Sequence, residues 1–512
     1  MFKESIFGRF IFAVLRLLKT FEFSAAYRIL SGIKNAFVRI FKGSVIYRFF
    51  YREDKIGLFT EKSAILKWAD KIIITVITFF LNIYKSIKKV NTGSINNGIY
   101  NRLNSKGCLS FKNILGIAII LMVCVPGSKW NNMYALLLAT ALTGLYFLSL
   151  LSGNRLSHRV SKFDIIMLVF MFASFLGIFI SLAPSDSIRI FMFFITAFMF
   201  MLLVSGSIKK TGDLQSFTGF ISVGLILTSL YCIYQGIVGV EIDVRLTDIA
   251  TNQGMPGRAY STFENPNNYA EYLVMFIPFM AAYALNKKDK KQKLLWFFML
   301  LIPLVALVYT YSRSCWVSLL IAAVVFIAFY NYKLLPLLAI VGICMLPFLP
   351  ETVMNRILTI GSMKDTSNKY RLVIWEGVLK MLKDTWVMGI GLGPKAFSLL
   401  YPSYADPSAI LAPHSHMLFM EVLVELGIIG FASFMLYWVI TLKRLITTKI
   451  RRSISNEQKN YICASLASLS GMIFVSGVEY IWFYPRTMFV FFIMLGLIKA
   501  TLNITKKERL KD

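Results

Sequence analysis

Two of the three histidines in this chain stand two residues apart. His414 and His416 lie in the segment APHSHMLFMEVLVELGIIG, where an apolar run begins. An imidazole titrates near neutral pH and can accept a proton from a hydroxyl group, so either histidine is a candidate general base. Interfacial hydrogen bonding is the alternative role. Glu421 and Glu425 follow at helical spacing, and we expect both to face the protein interior or a cavity, because carboxylates in lipid are costly.

Three arginines flank apolar or amphipathic segments in ways that suggest anion binding. Arg313 lies in YTYSRSCW, between two apolar runs, and Arg371 lies in the amphipathic stretch NKYRLVIWEGVLKMLKDTW. Arg258 lies in GRAYSTFENPNNYAEYL, where Asn-Pro-Asn at 265–267 predicts a turn and the start of a helix. The guanidinium fork fits a diphosphate. Each arginine also has an alternative to anion binding. Arg313 could extend to the lipid headgroups, and Arg371 could be a solvated charge on a helix.

The surrounding sequence has the composition of a membrane protein. Of its 512 residues, 57% are hydrophobic and only 16% are charged, whereas roughly a quarter of residues are charged in soluble domains. Mean hydropathy is +0.65, and the longest apolar runs reach the ~20 residues that cross ~30 Å of hydrocarbon as a helix. These features predict an all-α, polytopic membrane protein.

Twelve apolar runs from residue 113 onward predict transmembrane helices. They lie at approximately 113–126, 130–151, 163–183, 188–207, 216–237, 268–285, 294–310, 315–331, 334–349, 416–441, 461–482 and 487–503. Two long polar segments, 238–267 and roughly 350–415, interrupt them. Long loops on a helical scaffold commonly carry binding and catalytic groups. The candidate residues Arg258, Arg371 and the histidine pair lie in or beside these two long segments.

The distribution of basic residues predicts the orientation in the membrane. Every loop on one side is basic, as in NKKDKKQK at 286–293 and KRLITTKIRR at 443–452. Since cytoplasmic loops are enriched in lysine and arginine, we expect these loops and both termini in the cytoplasm. The same alternation places the large loop 350–415 and the candidate site on the outer face of the cytoplasmic membrane.

Residues 1–112 differ from the transmembrane region at 113–512. They contain 20 lysines and arginines against 6 aspartates and glutamates, interleaved with aromatic residues at helical spacing. This pattern is typical of amphipathic helices that lie on anionic headgroups. The net charge of +29 therefore indicates a membrane surface as partner and not nucleic acid. We expect residues 1–70 to be dispensable for chemistry, which a truncated protein that inserts normally but lacks activity would contradict.

Several other chemistries lack their sequence signatures. The chain has no Walker A, GxSxG or strand-associated GxGxxG motif, and its six cysteines include no CxxC pair. A metal bound by the histidine pair would need a third or fourth ligand, and none has a suggestive spacing. The predicted outer loop PGSKW at 126–130 has no carboxylate for Mg²⁺, and we assign Glu241 and Asp243 to solvent. We therefore predict no cofactor and no metal.

The motifs, taken in order and on one side of the membrane, resemble the O-antigen ligase and polymerase superfamily. The resemblance covers roughly 240–450. It rests on four segments: Arg258 with TFENPN at 262–267; Ser312-Arg313; Arg371 and Trp375 with GIGLGPKAF at 389–397; and HSHMLFMEVLVELGIIG. The last is close to the family's HxHN…E-x-G-x-x-G ending, except that Met417 replaces the usual asparagine.

The resemblance implies a function and a set of site residues. Members resemble metal-independent, multi-spanning (GT-C-like) glycosyltransferases and act on glycans linked to undecaprenyl diphosphate at the outer face of the membrane. The acceptor would be a glycan, a lipid-anchored sugar or a cell-wall component. The family's general base corresponds to His416, and its diphosphate-binding arginines correspond to Arg313 and Arg371. Further possible substrate contacts are His414, Arg258, Asn267 and Glu421.

Two rival functions stay open at this point. A transporter or flippase of the same lipid-linked glycans would need polar residues deep within the spans, whereas most predicted spans are nearly free of charge. An inactive scaffold that recruits cytoplasmic enzymes through residues 1–112 is the other alternative. The sequence does not distinguish a polymerase, a ligase and a protein glycosylase.

Overall fold

The computed structural model describes most of the chain beyond residue 109. The described ranges are 110–152, 162–242, 257–362, 365–451 and 454–509, with isolated helical positions between 32 and 86. The chain divides into two units, 1–62 and 63–512, and all the elements named below belong to the second. The predictions for residues 1–109 and for Asp243 lie outside the described ranges, apart from those isolated positions.

Helices form the regular structure of the described ranges, as predicted. The α-helices are α1 (Phe111–Cys124), α2 (Asn132–Ser152), α3 (Lys162–Ile180), α4 (Pro184–Ser207), α5 (Thr211–Val238), α6 (Pro266–Leu285), α7 (Lys290–Tyr309), α8 (Arg313–Asn331), α9 (Leu335–Met345), α10 (Glu351–Leu358), α11 (Thr366–Thr385), α12 (Pro394–Leu400), α13 (Leu418–Arg451), α14 (Asn456–Ser476) and α15 (Pro485–Arg509). Short 3₁₀ turns connect several of them.

Seven segments of the described chain are long and apolar enough to cross a membrane. They are Asn132–Ser149, Pro184–Ser207, Thr211–Val238, Lys290–Tyr309, Arg313–Phe348, Leu418–Ile450 and Pro485–Lys506. Long loops and charged turns separate most of these segments in sequence. The protein is therefore a multi-pass membrane protein.

The predicted count of twelve spans is wrong, for three physical reasons. The predicted spans 315–331 and 334–349 lie in one apolar segment of 36 residues that begins at α8 and includes α9. Helix α1 and the apolar part of α3 have fewer than 18 residues. Helices α6 and α14 are long enough to span, but their polar residues leave them outside the seven apolar segments.

The inner helices create the framework on which the loops rest. The most extensive helix pairs are α8 with α14, α4 with α15, and α6 with α14. Within the spanning window of α15, 94% of residues are buried, which places α15 in the middle of the bundle. Helices α14 and α8 approach closely, because a Cβ added at Gly471 of α14 would lie 3.0 Å from the Ser318 carbonyl oxygen of α8.

Contacts between helix ends show which loops share an end of the bundle. At one end, here named the upper end, the Arg486 guanidinium donates to the carbonyl oxygens of Val125 and Thr262, both at 2.8 Å. At the opposite end, Lys112 Nζ lies 2.7 Å from Asp213 Oδ1. The three residues of the upper end belong to segments that the basic-residue alternation assigns to one side of the membrane.

Helix α13 is broken close to the upper end, and a glycine-rich loop lies against the break. Gly427 has φ 61° and ψ −167°, a combination that only glycine adopts without strain. The loop 387–393 packs here, and the Ile390 amide donates to the Val424 carbonyl at 2.9 Å. A Cβ at Gly427 would lie 2.3 Å from the Val387 carbonyl oxygen. The glycines of this loop and of α13 therefore permit a close backbone approach.

Replacing Gly427 with alanine will destabilise the folded protein. Strain of about 1–3 kcal/mol is expected for a non-glycine residue at this φ and ψ, and the clash with Val387 adds to it. The matched control is Gly144→Ala in α2, where a Cβ meets nothing within 4 Å and alanine favours the helix. Thermal unfolding in detergent will show a lower midpoint for Gly427→Ala only; equal midpoints for both variants contradict this view of the break.

Candidate active site

Arg258 lies in the loop that leads into α6, and the start of this helix holds it. Asn265 caps α6 by accepting a hydrogen bond from the Asn267 amide at 2.8 Å, so the helix start predicted from Asn-Pro-Asn is confirmed. The Asn267 side chain accepts a close hydrogen bond from Arg258 Nη2. Arg258 Nε also donates to the Thr310 carbonyl at 2.9 Å. Arg258 and Asn267 are thus direct neighbours, and Arg258 is only 8% exposed.

Arg313 opens α8 and binds a buried carboxylate. Its Nη1 and Nη2 atoms donate to the two oxygens of Asp365 at 2.8 and 2.9 Å, and Nη1 also donates to the Thr359 carbonyl at 2.9 Å. Asp365 is the N-cap of α11, where it accepts from the Asn368 amide. The first turn of α11 is therefore fixed to the first residue of α8 by a bidentate ion pair.

A further arginine, absent from the residues predicted from sequence, completes this group. Arg356 of α10 is 7% exposed, and its Nη1 lies 3.7 Å from Asp365 Oδ2. Its Nε donates to the Tyr311 carbonyl at 3.4 Å. A signal is present in the sequence, because α10 is amphipathic and places Val353 and Arg356 on its buried face. Treating 350–415 as a single loop hides this short helix.

The pKa values at this cluster reflect its concentration of positive charge. Burial lowers the pKa of Arg258 to about 9, and the charges of Arg356 and Arg313 act in the same direction. Burial alone would raise the pKa of Asp365, but the hydrogen bonds and charge of Arg313 outweigh it, so the pKa lies below its ordinary value. At neutral pH Arg258 and Asp365 are both ionised, and the excess of arginines over carboxylates in the cluster suits an anion.

Arg371 of α11 pairs with a second carboxylate that was not predicted from the sequence. Its Nη2 forms a close ion pair with Glu479 Oε1, and the Ser314 hydroxyl donates to the same oxygen at 3.3 Å. The Glu479 carbonyl accepts from the Leu418 amide at 3.1 Å. Glu479 therefore links α8, α11 and the start of α13. Its signal in the sequence is that of a single charged residue inside a predicted span, 461–482, which commonly marks a functional position.

The histidine pair lies in a strained turn just before α13. His416 has a left-handed φ of 54°, and its amide donates to His414 Nδ1 at 3.0 Å. Trp375 Nε1 donates to the Ser415 carbonyl at 2.9 Å, and the Ser415 amide donates to Glu421 Oε2 at 2.6 Å. Helix α11 and Glu421 thus both hold Ser415, which makes Glu421 a support of the histidine turn.

Left-handed backbone at non-glycine residues occurs three times in the described ranges, and each case lies at the upper end. The residues are Ser261, Tyr311 and His416, with φ values of 55°, 49° and 54°. Ser261 follows Arg258, Tyr311 precedes Arg313, and His416 is the candidate base. Such strain is sustained only where surrounding structure enforces it, and it tends to cluster at functional sites.

The histidines are neutral at physiological pH because they are buried near an arginine. Burial lowers the pKa of His416 to about 4; the Glu479 carboxylate opposes this shift and the Arg371 charge supports it. Burial, followed by the charges of His416 and Arg371, lowers the pKa of His414 well below its ordinary value. A neutral His416 has a free lone pair, which proton acceptance requires.

Met417 replaces the asparagine that the resembled family usually has, and the structure shows how the turn forms without it. The Ser415 hydroxyl donates to the Met417 carbonyl at 3.0 Å, a contact that does not involve the Met417 side chain. The Tyr370 ring stands 6.2 Å from the His416 ring in an edge-on arrangement. Backbone contacts and the Tyr370 ring therefore surround His416 without an amide side chain.

The structure brings together residues from six separate segments. Arg371 and Glu479 act electrostatically on His416, and Glu479, Arg313 and Arg356 act on Arg258. All the predicted site residues belong to this neighbourhood. Asn267 joins it by its hydrogen bond with Arg258, and Glu421 joins it by its hydrogen bond with Ser415. Across the described ranges, no three histidine, cysteine, aspartate or glutamate side chains are grouped so that they could hold a metal ion.

Residues 297–435 match the family described as O-Antigen ligase. This confirms the resemblance found in the sequence, over a shorter range than 240–450. The match includes Arg313, Arg371 and His416, whereas Arg258 and Glu479 lie outside it. A search of curated proteins found no match to the chain.

Proposed function

Because the chain carries an O-antigen ligase family domain at 297–435, we propose that it transfers a glycan from undecaprenyl diphosphate to an acceptor hydroxyl. The reaction takes place at the outer face of the cytoplasmic membrane, inverts the anomeric centre and needs no metal. The observation that carries this proposal is the meeting of four arginines and a neutral histidine pair at one end of a membrane bundle. The product contributes to a surface polysaccharide.

The charges of the cluster suit a diphosphate leaving group. The cluster contains four arginines and two carboxylates, so positive charge is in excess. The arginines are Arg258, Arg313, Arg356 and Arg371, and the carboxylates belong to Asp365 and Glu479. Arginine forks bind phosphate oxygens with two parallel hydrogen bonds. In a dry site such donors stabilise charge that develops in the transition state. The diphosphate binds at the arginines and its departure needs no metal.

The chemical step follows from the position of His416. The acceptor hydroxyl attacks the anomeric carbon of the donor while His416 takes the hydroxyl proton. The new glycosidic C–O bond forms as the bond from carbon to the diphosphate oxygen breaks, and the electron pair leaves with that oxygen. The arginines neutralise the charge on the departing diphosphate. Glu479 is a positioning residue that sets the direction of Arg371.

A flippase for lipid-linked glycans is the second candidate function. It would need polar groups along a path through the bilayer, whereas the arginines and histidines of the site gather at the upper end. Reconstitution in liposomes with labelled donor separates the two functions. New glycosidic bonds support transfer, and movement of intact donor across the bilayer supports a flippase.

The glycan that accumulates on the carrier lipid after gene deletion identifies the type of transfer. Single repeat units on the carrier indicate a polymerase, and full-length chains indicate a ligase that acts on a terminal acceptor. Unchanged carrier glycans in the deletion strain contradict both.

The site is expected on the outer face of the cytoplasmic membrane, with basic loops inside. Cysteines placed at Asp289 and Asp406, both exposed, in a background without native cysteines will test this. We expect an impermeant thiol reagent to label position 406 in intact cells and position 289 only after permeabilisation. Labelling of 289 and not 406 in intact cells contradicts both the topology and the location of the site.

A further inference from the structure

One edge of α11 and of the loop after it carries large apolar side chains that the described part of the protein leaves about half exposed. They are Leu372, Leu379, Trp386, Val387 and Met388, with exposed fractions from 43% to 58%. The first three follow one another at intervals of about two helical turns and therefore form one stripe. The opposite face of α11, with Ile374, Val378 and Met381, is buried in a core cluster that includes Val424 of α13. Helix α11 is therefore apolar on two faces, and the bundle covers only one of them.

The loop at the end of this edge is bonded to a helix long and apolar enough to cross the membrane. The Ile428 amide of α13 donates to the Val387 carbonyl at 3.3 Å, directly beside the break at Gly427. Ile428 and Ile429 are both exposed, and both lie in the apolar segment Leu418–Ile450. The exposed apolar surface of α13 therefore continues into the loop that follows α11.

Two helices give the height of this loop in the membrane, and the two heights agree. Gly427 stands about 24 Å above Lys443 along α13, and Lys443 begins the basic stretch 443–452. On the other side of the loop, a Cβ at Gly177 of α3 would lie 3.8 Å from Leu392 Cγ. Gly177 stands about 22 Å above Lys162, the first residue of α3. Both heights fall in the upper third of a hydrocarbon core that is ~30 Å thick.

The sequence beside the stripe is that of a helix lying in a membrane interface. Lys383 is exposed and stands four residues after Leu379 and three before Trp386, so it flanks the stripe. Interfacial helices combine an apolar stripe, buried at the boundary of headgroups and acyl chains, with lysines that reach the headgroups. Tryptophan is enriched at the same boundary. Composition and height therefore favour lipid over water beside this edge.

We propose that the edge formed by Leu372, Leu379, Trp386, Val387 and Met388 inserts into the lipid leaflet at the upper end of the bundle. Helix α11 lies in the interface, and residues 386–388 reach furthest into the acyl chains. Within 350–415, which the sequence predicts as one outer loop, the middle thus lies in the leaflet and Asp406 lies in water. Because α11 also carries Arg371, the contact sets the height of that guanidinium relative to the headgroups. The contact does not depend on the proposed transfer reaction.

Fluorescence quenching tests this contact in the full chain. Leu379→Cys, Met388→Cys and Asp406→Cys, in a background without the native cysteines, each carry a bimane label in nanodiscs with one copy per disc. All three side chains are exposed, so the labels disturb no core packing. Lipids brominated on their acyl chains will quench positions 379 and 388 as strongly as a label at Ile429, the reference on α13. Aqueous iodide will quench position 406, the control in the same segment, and leave 379 and 388 bright.

Three results overturn the leaflet contact. Quenching of 379 and 388 by iodide and not by brominated lipid places the edge in water. Protection from both quenchers shows that protein, such as a second copy of the chain, covers it. Relief of the lipid quenching by undecaprenyl diphosphate, added at a few copies per disc, shows a groove for a polyprenyl chain and not the leaflet. If the wild-type protein transfers no glycan, the quenching result still decides on the contact.

Discussion

Replacing His416 with alanine will lower turnover by ~10²–10⁴-fold, the range typical of a lost general base. The physical reason is that, in the proposed mechanism, this buried, neutral imidazole takes the proton of the attacking hydroxyl. Donor binding will stay nearly unchanged, because the arginines that bind the diphosphate do not depend on the imidazole. Single-turnover transfer and equilibrium binding of labelled donor will measure the two effects separately.

His414→Ala and the pH profile provide the controls for this prediction. His414 supports the turn through its Nδ1 contact with the His416 amide, so its loss will cost less than the loss of His416. Because the pKa of His416 is lowered to about 4, the imidazole stays unprotonated from pH 8 to about 5.5. The wild-type rate should therefore be flat over this range and fall only as the pH approaches 4. A rate that halves near pH 6.5 would indicate an ordinary, solvated histidine.

Replacing Arg371 with lysine will reduce transfer by roughly 10–10²-fold even though the positive charge is kept. An ammonium group lacks the planar fork that binds two oxygens at once, and each lost charge-assisted hydrogen bond costs ~1.5–3 kcal/mol. Arg313→Lys will behave similarly, since its fork is bidentate to Asp365. The loss will appear in donor binding and in turnover, because in the proposed mechanism the arginines contact the diphosphate before and during its departure.

Lys380→Ala is the control on the same helix as Arg371. Lys380 forms an exposed pair with Glu376 at 3.3 Å, and exposed pairs contribute little to stability. The transfer activity of the Lys380→Ala variant should equal that of the wild-type protein. If Arg371→Lys also retains full activity, the charge of the cluster suffices and the bidentate role of the fork is wrong.

Much of the fold could be predicted from the sequence, because the signals are local. Every predicted apolar run coincides with a helix, and Asn-Pro-Asn marks the start of α6. The number of spans could not be predicted by the same means. Helices α6 and α14 are long enough to span, but their polar residues leave them outside the seven apolar segments, and two of the predicted runs lie in one segment of 36 residues. Counting apolar runs therefore overestimates the number of spans.

The sequence suggested some residues of the candidate site, since its arginines and histidines stand in recognisable motifs. The partners Asp365, Glu479 and Arg356 were missed. Arg356 and Glu479 leave a weak signal in their own segments, but the partners of Asp365 and Glu479 come from segments far away in sequence. The bidentate pair of Arg313 with Asp365 joins residues 52 positions apart, and the pair of Arg371 with Glu479 joins residues 108 positions apart. Local sequence patterns carry no information on such pairings.

The most direct test of metal-free transfer with a histidine base uses purified protein, lipid-linked donor and acceptor in the presence of a strong chelator. We expect wild-type protein to transfer glycan at the same rate with and without chelator, and His416→Ala to be slower by at least about a hundred-fold under both conditions. Loss of wild-type transfer on chelation, or near-normal turnover by His416→Ala, would contradict the proposed mechanism.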